Sequence, residues 1–528
     1  MKVLVSDKLS PAGVEILERS PGLSVDVNVG LSPEELKKII GNYDALVIRS
    51  ATKVTAEIIE AASNLKAVGR AGIGVDNVDI PEATKRGIVV MNTPGGNTVT
   101  TAEHAISMMC ALARHIPQAD ATMKEGKWEK KRYMGVELMN KTLGILGVGN
   151  IGTIVAERAQ GLAMNVIAYD PYISEQAASK MGVELVDLEE FYKRSDFISI
   201  HVPRTDETSN MLDIEAFKKM KPEVRIINCA RGGIVNEADL AEALEKGLVA
   251  GAAFDVFSSE PPEADNPLIG PENIILTPHL GASTDEAQVN VAIAVANQIA
   301  DYLVNGTITN AVNVPSVGSD VLPQVQPYLE LAEKLGSLTA QLADFAPKSV
   351  QIRYSGSVTD LPLEPITISV LKGVMEPVMG IGAVNFVNAS VLAGERGLKV
   401  NEVKSSEPED YSNLIEVTLS SGKKSKVAAG FVFEGRESRI IWIDAFSMEA
   451  VPVGNVLVLT NDDRPGVIGN LGMTLGKHGV NIASMQIGRD KPGGKALSFL
   501  QVDSEPGDEV IEELKKLPHI KTVTKVNF

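Results

Sequence analysis

The segment LGILGVGNIGTIVAERAQGLAMNVIAYD, residues 143–170, limits the possible folds more than any other part of the sequence. An apolar run that predicts a buried strand leads into Gly147, Gly149 and Gly152, and a helical pattern follows. In this spacing the first glycine permits a tight turn, the second lets the backbone approach a pyrophosphate, and the third lets the helix pack on its strand. A bare glycine match is weak evidence, but the flanking strand and helix predict a dinucleotide site at the helix N-terminus.

An aspartate near the end of this segment indicates which dinucleotide is bound. Asp170 ends the next predicted strand, 18 positions after Gly152. A carboxylate at this place accepts hydrogen bonds from the adenosine ribose and repels a 2′-phosphate, so the predicted cofactor is NAD rather than NADP. The alternative is a glycine turn in another α/β fold, which the complete strand, helix and aspartate context disfavours.

Length and charge narrow the class of protein further. A chain of 528 residues is too long for one ordinary core, so several domains are expected. The formal net charge of -18 disfavours nonspecific nucleic-acid binding, because a phosphate backbone repels such a surface. Two cysteines, Cys110 and Cys229, make neither a disulfide framework nor a metal cluster, which favours a reducing, cytoplasmic compartment. No signal peptide and no membrane span are expected, and no metal site.

Strand and helix patterns alternate through the first hundred residues and resume after the glycine segment, which predicts parallel sheets. One long helix is expected over about 100–128, and an amphipathic helix over 286–304. The composition of 310–327 is that of a linker. Beyond it, a helix and several strands, among them ITISVLKG at 366–373, predict a separate α+β unit. The last residues follow the order βαββαβ, which is typical of a ferredoxin-like domain.

Three residues have the chemistry of a dehydrogenase site, which needs an acid/base and a cation for a carboxylate. Of six histidines, His279 is the best candidate base, because it follows an apolar strand where ligands gather in open α/β sheets. Arg231 ends a strand before two glycines, which leaves its guanidinium free for a carboxylate. Glu260, beside Asp255 in GAAFDVFSSEPP, would favour a protonated imidazole and fix its tautomer. Surface ion pairs are the alternative for each, and the sequence leaves open whether the three meet.

The other histidines give weaker signals. His104 and His115 lie in a largely apolar helical segment and are interpreted as packing or solvent-edge residues. His201 ends a predicted strand and either lines the cofactor cleft or is structural. His478 and His519 lie far along the chain from the glycine loop.

The motifs GVGNIG, NCARGG, FDVFSSEPP and TPHLGAST resemble, in order and spacing, the D-isomer-specific 2-hydroxyacid dehydrogenases. The resemblance implies that Arg231 binds the substrate carboxylate and carbonyl oxygen, that Glu260 tunes His279, and that His279 shuttles the proton. Asp255 would face the nicotinamide. The cofactor contacts expected from the glycine loop and the resemblance are Gly147, Gly149, Asn150, Ile151, Gly152, Asp170, Pro203, Thr208, Cys229, Ala230, Arg231, Asp255, His279 and Gly281.

The same resemblance implies the division into domains. A discontinuous, flavodoxin-like substrate domain would comprise 1–97 and 285–315, around a Rossmann-type cofactor domain over 98–284. An α+β intervening domain over 316–452 and a ferredoxin-like ACT domain over 453–528 would follow. The active site would lie in the cleft between the first two domains.

The resemblance to members of this family that have all of these domains implies oxidation of 3-phosphoglycerate to 3-phosphohydroxypyruvate. Arg49 at a strand end and Asn97 in a Gly-Gly-Asn loop have the chemistry to bind a phosphate, although ion pairs are the alternative. The expected substrate contacts are Arg49, Arg70, Gly96, Asn97, Arg231 and His279. The alternatives are another D-2-hydroxy acid, such as a glyoxylate or hydroxypyruvate substrate, and a noncatalytic NAD-sensing protein.

Two further features concern regulation and assembly. The basic loop Lys127, Lys130, Lys131 and Arg132 is either solvated or steers a phosphorylated anion, in the same or a neighbouring subunit. The ACT resemblance implies side-by-side pairing in a homo-oligomer, dimer or tetramer, with L-serine as the effector. The expected effector contacts are Asn461, Asp463, Gly466, His478 and Asn481, for which ordinary turn chemistry is the alternative.

Overall fold

The computed structural model describes residues 1–315, 321–380, 382–407 and 411–528. Residues 316–320 of the predicted linker over 310–327 therefore lie outside the described residues, and 322–327 are not a linker but the start of the helix Leu322–Leu342. The described strands form a first and a second parallel sheet, a mixed sheet and an antiparallel sheet.

The first sheet has the strand order β2-β1-β3-β4-β5. Its parallel strands β1 to β5 span Lys2–Val5, Ser24–Val27, Ala45–Ile48, Ala67–Arg70 and Val89–Met91. Helices α1 to α4 alternate with them and span Pro11–Arg19, Pro33–Ile39, Ala56–Ala61 and Ile80–Lys85. This order is that of flavodoxin-like sheets, so the predicted parallel sheet is confirmed.

The second sheet has the order β12-β11-β10-β9-β6-β7-β8, and all its pairs are parallel. Strands β6 to β12 span Thr142–Leu146, Asn165–Tyr169, Glu184–Leu185, Phe197–Ile200, Arg225–Asn228, Gly251–Phe254 and Ile274–Leu276. Helices α5 to α11 span Thr98–Ala113, Ile116–Lys124, Asn150–Gly161, Glu175–Lys180, Leu188–Arg194, Ile214–Phe217 and Glu237–Glu245. The strand order reverses between β6 and β9, the place where Rossmann-type sheets bind their ligands.

Helix α12, Asp285–Asn305, returns the chain to the first sheet, as the predicted helix over 286–304 requires. It packs so closely that a Cβ on Gly69 of β4 would lie 2.7 Å from Val295. Residues after α12 continue along β5, where the backbone N–H of Val312 donates to the carbonyl of Val90 at 2.8 Å. Both parts of the chain thus share one apolar core.

The mixed sheet has the order β14-β13-β15-β16-β17-β18. Strands β13 to β18 span Ser349–Gly356, Lys399–Ser405, Asn413–Ser421, Lys424–Phe433, Glu437–Ile443 and Phe446–Ala450. Helices α13 to α15 span Leu322–Leu342, Leu363–Met379 and Ala389–Glu395.

Short 3₁₀ helices span Ile40–Asn42, Pro267–Ile269 and Ser357–Asp360.

The antiparallel sheet has the order β20-β21-β19-β22. Strands β19 to β22 span Asn455–Asp462, Ile482–Arg489, Lys495–Val502 and Ile520–Asn527, and helices α16 and α17 span Val467–Lys477 and Asp508–Lys515. The predicted βαββαβ order is confirmed. Val458, Phe499 and Val526 of this sheet belong to the same buried core as α13, so the two C-terminal sheets pack as one body.

Two expectations about secondary structure are wrong. The single helix over 100–128 is two helices, because His115 adopts a left-handed backbone with φ 54° and Pro117 follows it at the start of α6. Proline lacks the N–H that a continuous helix needs and clashes with the preceding turn. The segment 366–373 is not a strand but lies inside α14. Its apolar residues are buried all round the helix, a pattern that does not distinguish a core helix from a strand.

Over the described ranges, no helix is long and apolar enough to cross a membrane. The same ranges contain no group of three or more His, Cys, Asp or Glu side chains arranged to hold a metal ion.

Candidate active site

A cleft of about 650 Å³ lies where the carboxyl ends of strands from the first and second sheets face each other. The predicted residues that line it are Arg70, Asn97, Asn150, Ile151, Pro203, Cys229, Ala230, Arg231, Asp255, Glu260, His279 and Gly281. Because residues from both sheets contribute, the cleft can hold a cofactor on one side and a small substrate on the other.

The glycine loop has the geometry of a pyrophosphate cradle at the N-terminus of α7. Gly147 has φ 90°, a conformation that favours glycine, and a Cβ on Gly152 would lie 2.1 Å from the Gly147 carbonyl oxygen. A Cβ on Gly149 would meet nothing within 4 Å, so the space in front of the helix is open. Backbone N–H groups and the helix dipole favour an anion in that space.

Asp170 is held by the same loop. Its Oδ2 accepts from the backbone N–H of Val148 at 2.8 Å, and its Oδ1 accepts from that of Tyr172 at 2.9 Å. A carboxylate has about four lone-pair positions, so each oxygen can accept a second bond. The arrangement fits a cofactor with free ribose hydroxyls.

His279 and Glu260 form a hydrogen-bonded pair that faces the cleft. The Nδ1 of His279 lies 2.6 Å from Oε2 of Glu260, while Oε1 of Glu260 accepts from the backbone N–H of Phe257 at 3.1 Å. The bond to Glu260 raises the pKa of His279 although burial opposes it. Burial pushes the pKa of Glu260 upward, but the bonds from His279 and Phe257 lower it. When the imidazole is neutral and donates its Nδ1 proton to Glu260, the lone pair of Nε2 is left to accept a substrate proton.

Asp255 lies behind His279 and is fully buried. Its Oδ1 accepts from the hydroxyl of Thr277 at 2.5 Å and from the backbone N–H of Leu280 at 2.7 Å, and its Oδ2 accepts from that of Gly281 at 2.8 Å. Burial would raise the pKa of this carboxyl, but its hydrogen bonds lower it. The carboxylate therefore fixes the backbone on the C-terminal side of His279.

Two arginines bring positive charge into the cleft. The Nε of Arg231 lies 3.2 Å from Oδ2 of Asp76, whose side chain is 77% exposed, and the Nη1 of Arg231 donates to the carbonyl of Ala230 at 2.7 Å. Burial, assisted by the charge of Arg231, lowers the pKa of Arg70 to about 10. The Nε of Arg70 is buried and has no hydrogen-bond partner among the described residues. The pair suits a ligand with more than one negative charge.

Some predicted residues lie outside the cleft lining. The guanidinium of Arg49 donates to the carbonyl of Lys8 at 3.1 Å, and the hydroxyl of Thr208 donates to that of Pro203 at 2.7 Å. Gly96 packs against α12, where a Cβ would lie 2.5 Å from Val291. In the basic loop, Lys127 and Arg132 are exposed and paired with acidic residues, so the structure does not bring this loop to the cleft.

His104 is the functional-site residue that the sequence interpretation missed. Its Nε2 lies 3.3 Å from the hydroxyl oxygen of Thr277 and 3.3 Å from Oδ1 of Asp255, polar contacts that the interpretation as a packing or solvent-edge residue did not include. A signal was present: Asn97, Thr101 and His104 stand at helical spacing on one face of α5. That face is turned toward the cleft, which Asn97 and Thr101 line.

His201 also lines the cleft. Its Nε2 lies 2.8 Å from the hydroxyl oxygen of Ser199, and burial lowers the pKa of the imidazole to about 4. His201 is therefore neutral near pH 7, and its buried Nδ1 has no protein partner in the described part of the chain.

The predicted effector contacts lie at the two ends of α16. Asn461 is buried, and Asp463 accepts from the backbone N–H of Gly493 at 2.9 Å, both near the start of the helix. Beyond its other end, His478 lies 2.7 Å from Glu513. Eleven residues of helix span about 16 Å, so one chain does not bring the two groups together. Gly466, with φ 91°, belongs to the first group and Asn481, bonded to Asp503, to the second.

Comparison with known families agrees with this geometry. Residues 106–281 match the family described as D-isomer specific 2-hydroxyacid dehydrogenase, NAD binding domain. Residues 324–444 match the D-3-phosphoglycerate dehydrogenase intervening domain, and 455–519 match the ACT domain. The resemblance predicted from the motifs and the assignment of NAD as the cofactor are confirmed.

Individual relatives extend the similarity over the whole chain. The chain is 46% identical to a D-3-phosphoglycerate dehydrogenase of Archaeoglobus fulgidus, with 100% of each chain covered. It is 42% identical to that of Bacillus subtilis, with 100% of this chain and 99% of the relative covered. Among solved structures, an NAD-dependent formate dehydrogenase from Staphylococcus aureus in complex with NAD has a TM-score of 0.54 and 30% identity, and the match covers 60% of this chain and 100% of that one. The chain belongs to the D-3-phosphoglycerate dehydrogenase family.

Proposed function

We propose that the chain catalyses NAD-dependent oxidation of D-3-phosphoglycerate to 3-phosphohydroxypyruvate. The observation that carries this proposal is the His279–Glu260 pair, 2.6 Å apart, which lines the same cleft as Arg231. An acid/base, its carboxylate partner and a cation together are what oxidation of a hydroxy acid needs. Full-length similarity to curated D-3-phosphoglycerate dehydrogenases supports this substrate over glyoxylate or hydroxypyruvate.

In the mechanism, Arg231 binds the substrate carboxylate with its guanidinium. The exposed Asp76 that pairs with it is readily displaced, because a solvent-exposed ion pair contributes little. His279 then accepts the hydroxyl proton on Nε2, and Glu260 stabilises the imidazolium that forms. The chemistry that NAD supplies when bound is acceptance of the hydride from the substrate carbon.

The phosphate of the substrate would contact Arg70 and Asn97. Both residues line the cleft, and Arg70 has a buried Nε without a partner among the described residues. Asn97 would donate to the phosphate through its amide Nδ2. A phosphate accepts from the guanidinium and from backbone N–H groups near the start of α5. Arg49 would add positive charge near the phosphate. Gly96, which has no side chain, would leave room for it.

The proposed division of labour follows the predicted boundaries. Residues 1–97 with 285–315 would bind the substrate, and 98–284 would bind the cofactor. The cofactor contacts would be the glycine loop, Asp170, Pro203, Thr208, and the residues around Arg231 and His279. Residues 316–452 and 453–528 would form the intervening and regulatory parts.

We also propose a cytoplasmic homo-oligomer inhibited by L-serine. Trp128 and Met134 are 79% and 80% exposed, which suits burial against a second copy. Met473 on α16 is 69% exposed, which suits pairing of the last domain. Such pairing would bring Asn481 of one chain toward Asn461 and Asp463 of another, and serine would bind between them. The basic loop at Lys127 would then steer the anionic substrate.

The test follows NADH absorbance at alkaline pH with purified protein, NAD and D-3-phosphoglycerate, with and without serine. NADH formation that serine suppresses supports substrate and effector together. Formation that serine does not affect supports the enzyme and contradicts the effector. Consumption of NADH with glyoxylate or hydroxypyruvate, without turnover of D-3-phosphoglycerate or 3-phosphohydroxypyruvate, would favour another hydroxyacid dehydrogenase. NADH binding without any turnover would favour an NAD sensor.

A further inference from the structure

The carboxylate of Asp255 is the most heavily hydrogen-bonded group behind the cleft. It is fully buried, and its oxygens receive the Thr277 hydroxyl and two backbone N–H groups. The Nε2 of His104, 3.3 Å from Oδ1, is the one side-chain nitrogen that reaches it among the described residues. Nε2 also lies 3.3 Å from the Thr277 hydroxyl oxygen, whose own proton goes to Asp255. Because neither oxygen has a proton to give to His104, Nε2 carries the proton in this cluster.

This hub controls the backbone of His279. His279 has φ 55°, a left-handed conformation that costs a residue other than glycine about 1 kcal/mol or more. Its N–H donates to the main-chain carbonyl of Asp255 at 2.9 Å, and the next two N–H groups donate to the Asp255 carboxylate. The strained turn that carries the imidazole is therefore held by hydrogen bonds from three successive N–H groups to Asp255.

His104 fastens that residue in turn to α5. This helix begins at the cleft-lining Asn97 and Thr98, next to the first sheet, and carries His104 two turns later. His104 thus links α5, the helix between the two sheets, to the turn that carries His279. The other titratable groups that face Asp255 are the Cys229 thiol, Glu260 and His279.

We propose that His104 is a positioning residue: by donating to the buried Asp255 it holds the 279–281 turn, and hence His279, in its working position. This inference rests on the proposed dehydrogenase function. His104 touches neither the reacting atoms nor the proton path. Its effect passes through Asp255.

Removal of the donor has a predictable direction. The negative charge of Asp255 raises the pKa of His279, and burial opposes ionisation of Asp255 itself. Without His104 that charge is less neutralised, so the pKa of His279 moves up. Protonation of Asp255 also begins at higher pH. Both changes move the acidic limb of the oxidation rate to higher pH, because His279 must be neutral to accept the proton.

The experiment compares His104→Leu, which removes the donor, with His104→Gln, whose amide can still donate. His115→Gln is the matched control, because His115 follows the end of the same helix, in contact with Tyr133 and away from the cleft. The pH profile of kcat/KM is measured for each variant. Hydrogen exchange of the peptide covering 277–283 is measured as a readout that does not need activity.

We expect kcat to fall about tenfold in the leucine variant, with its acidic limb at higher pH, because a hydrogen bond to a charged group is lost. Faster exchange at 277–283 should accompany the loss, while the glutamine variant and the control stay near wild type. If the leucine variant does not fold, Thr277→Val removes the other side-chain donor to Oδ1 and should produce the same limb shift and faster exchange.

Two results would overturn the inference. One is a leucine variant with an unmoved acidic limb and unchanged exchange. The other is equal loss of thermal stability in the leucine and glutamine variants without a limb shift, which would mean packing alone. If the wild-type chain shows no turnover, the proposed function fails, and the exchange of 277–283 still decides whether His104 holds the turn.

Discussion

The Nδ1 of His279 lies 2.6 Å from Oε2 of Glu260, so the imidazole is tethered by one nitrogen and free at the other. The tether fixes the tautomer in which Nε2 meets the substrate. It also raises the pKa of His279. Because oxidation needs a neutral His279 and reduction a protonated one, the two directions of the reaction depend on pH in opposite ways.

Replacement of Glu260 by glutamine should separate these directions. His279 must be neutral for oxidation and protonated for reduction, and the charge of Glu260 favours the protonated form. In Glu260→Gln the pKa of His279 falls, so the acidic limb of oxidation moves to lower pH. Reduction at neutral pH should fall by about a hundredfold. Stopped-flow pH profiles in both directions measure this, with the exposed Glu263→Gln as the control; profiles that stay in place would contradict the assigned pairing.

Arg231 should account for carboxylate binding more than for cofactor binding. In Arg231→Met the substrate loses a bidentate partner, and kcat/KM should fall by about a hundredfold, the equivalent of about 2–3 kcal/mol. Arg231→Lys keeps the charge without the planar fork and should lie in between. Steady-state kinetics give kcat/KM, and NADH fluorescence titration gives the cofactor affinity, which should hardly change. Loss of NADH binding in the methionine variant would show that Arg231 acts on the cofactor instead.

The glycine loop allows fold and cofactor binding to be tested apart. A Cβ on Gly149 meets nothing within 4 Å, so Gly149→Ala should keep the melting temperature, while NADH binding weakens because the methyl group occupies the cradle. Gly152→Ala should also destabilise the fold, by about 1–3 kcal/mol, because its Cβ would lie 2.1 Å from the Gly147 carbonyl. Gly161→Ala, in open space at the end of α7, is the matched control for both. Calorimetry and NADH titration check these outcomes; equal NADH affinity in Gly149→Ala and Gly161→Ala would refute the cradle.

The features that the sequence predicted correctly are those encoded locally. The strand, glycine turn and helix of the cofactor domain and the strand and helix alternation each depend on spacing within about 30 residues, where turn geometry and periodicity act directly. The segment 366–373 was misassigned because burial on all sides removes the difference between helix and strand periodicity.

The features that the sequence did not predict depend on contacts between distant residues. His104 and Asp255 are separated by 151 positions and meet only because α5 packs over the carboxyl end of the second sheet. Arg49 has the right residue type at a strand end, yet its guanidinium turns to the Lys8 carbonyl, a choice that only the packed backbone determines. The direction of such a side chain cannot be read from the spacing of residues in the sequence.

Asp170 should determine the choice between NAD and NADP. Its carboxylate is oriented by the N–H groups of Val148 and Tyr172 and has lone pairs left for ribose hydroxyls, where a 2′-phosphate would be repelled. Asp170→Ala should therefore weaken NADH binding by about tenfold and improve NADPH binding. The ratio of the NADH affinity to the NADPH affinity should then fall by about a hundredfold or more. Fluorescence titrations with both nucleotides give the ratio, with Asp265→Ala as the control because that aspartate is exposed and does not line the cleft. An unchanged NADH to NADPH ratio would mean that the adenosine ribose does not lie at Asp170.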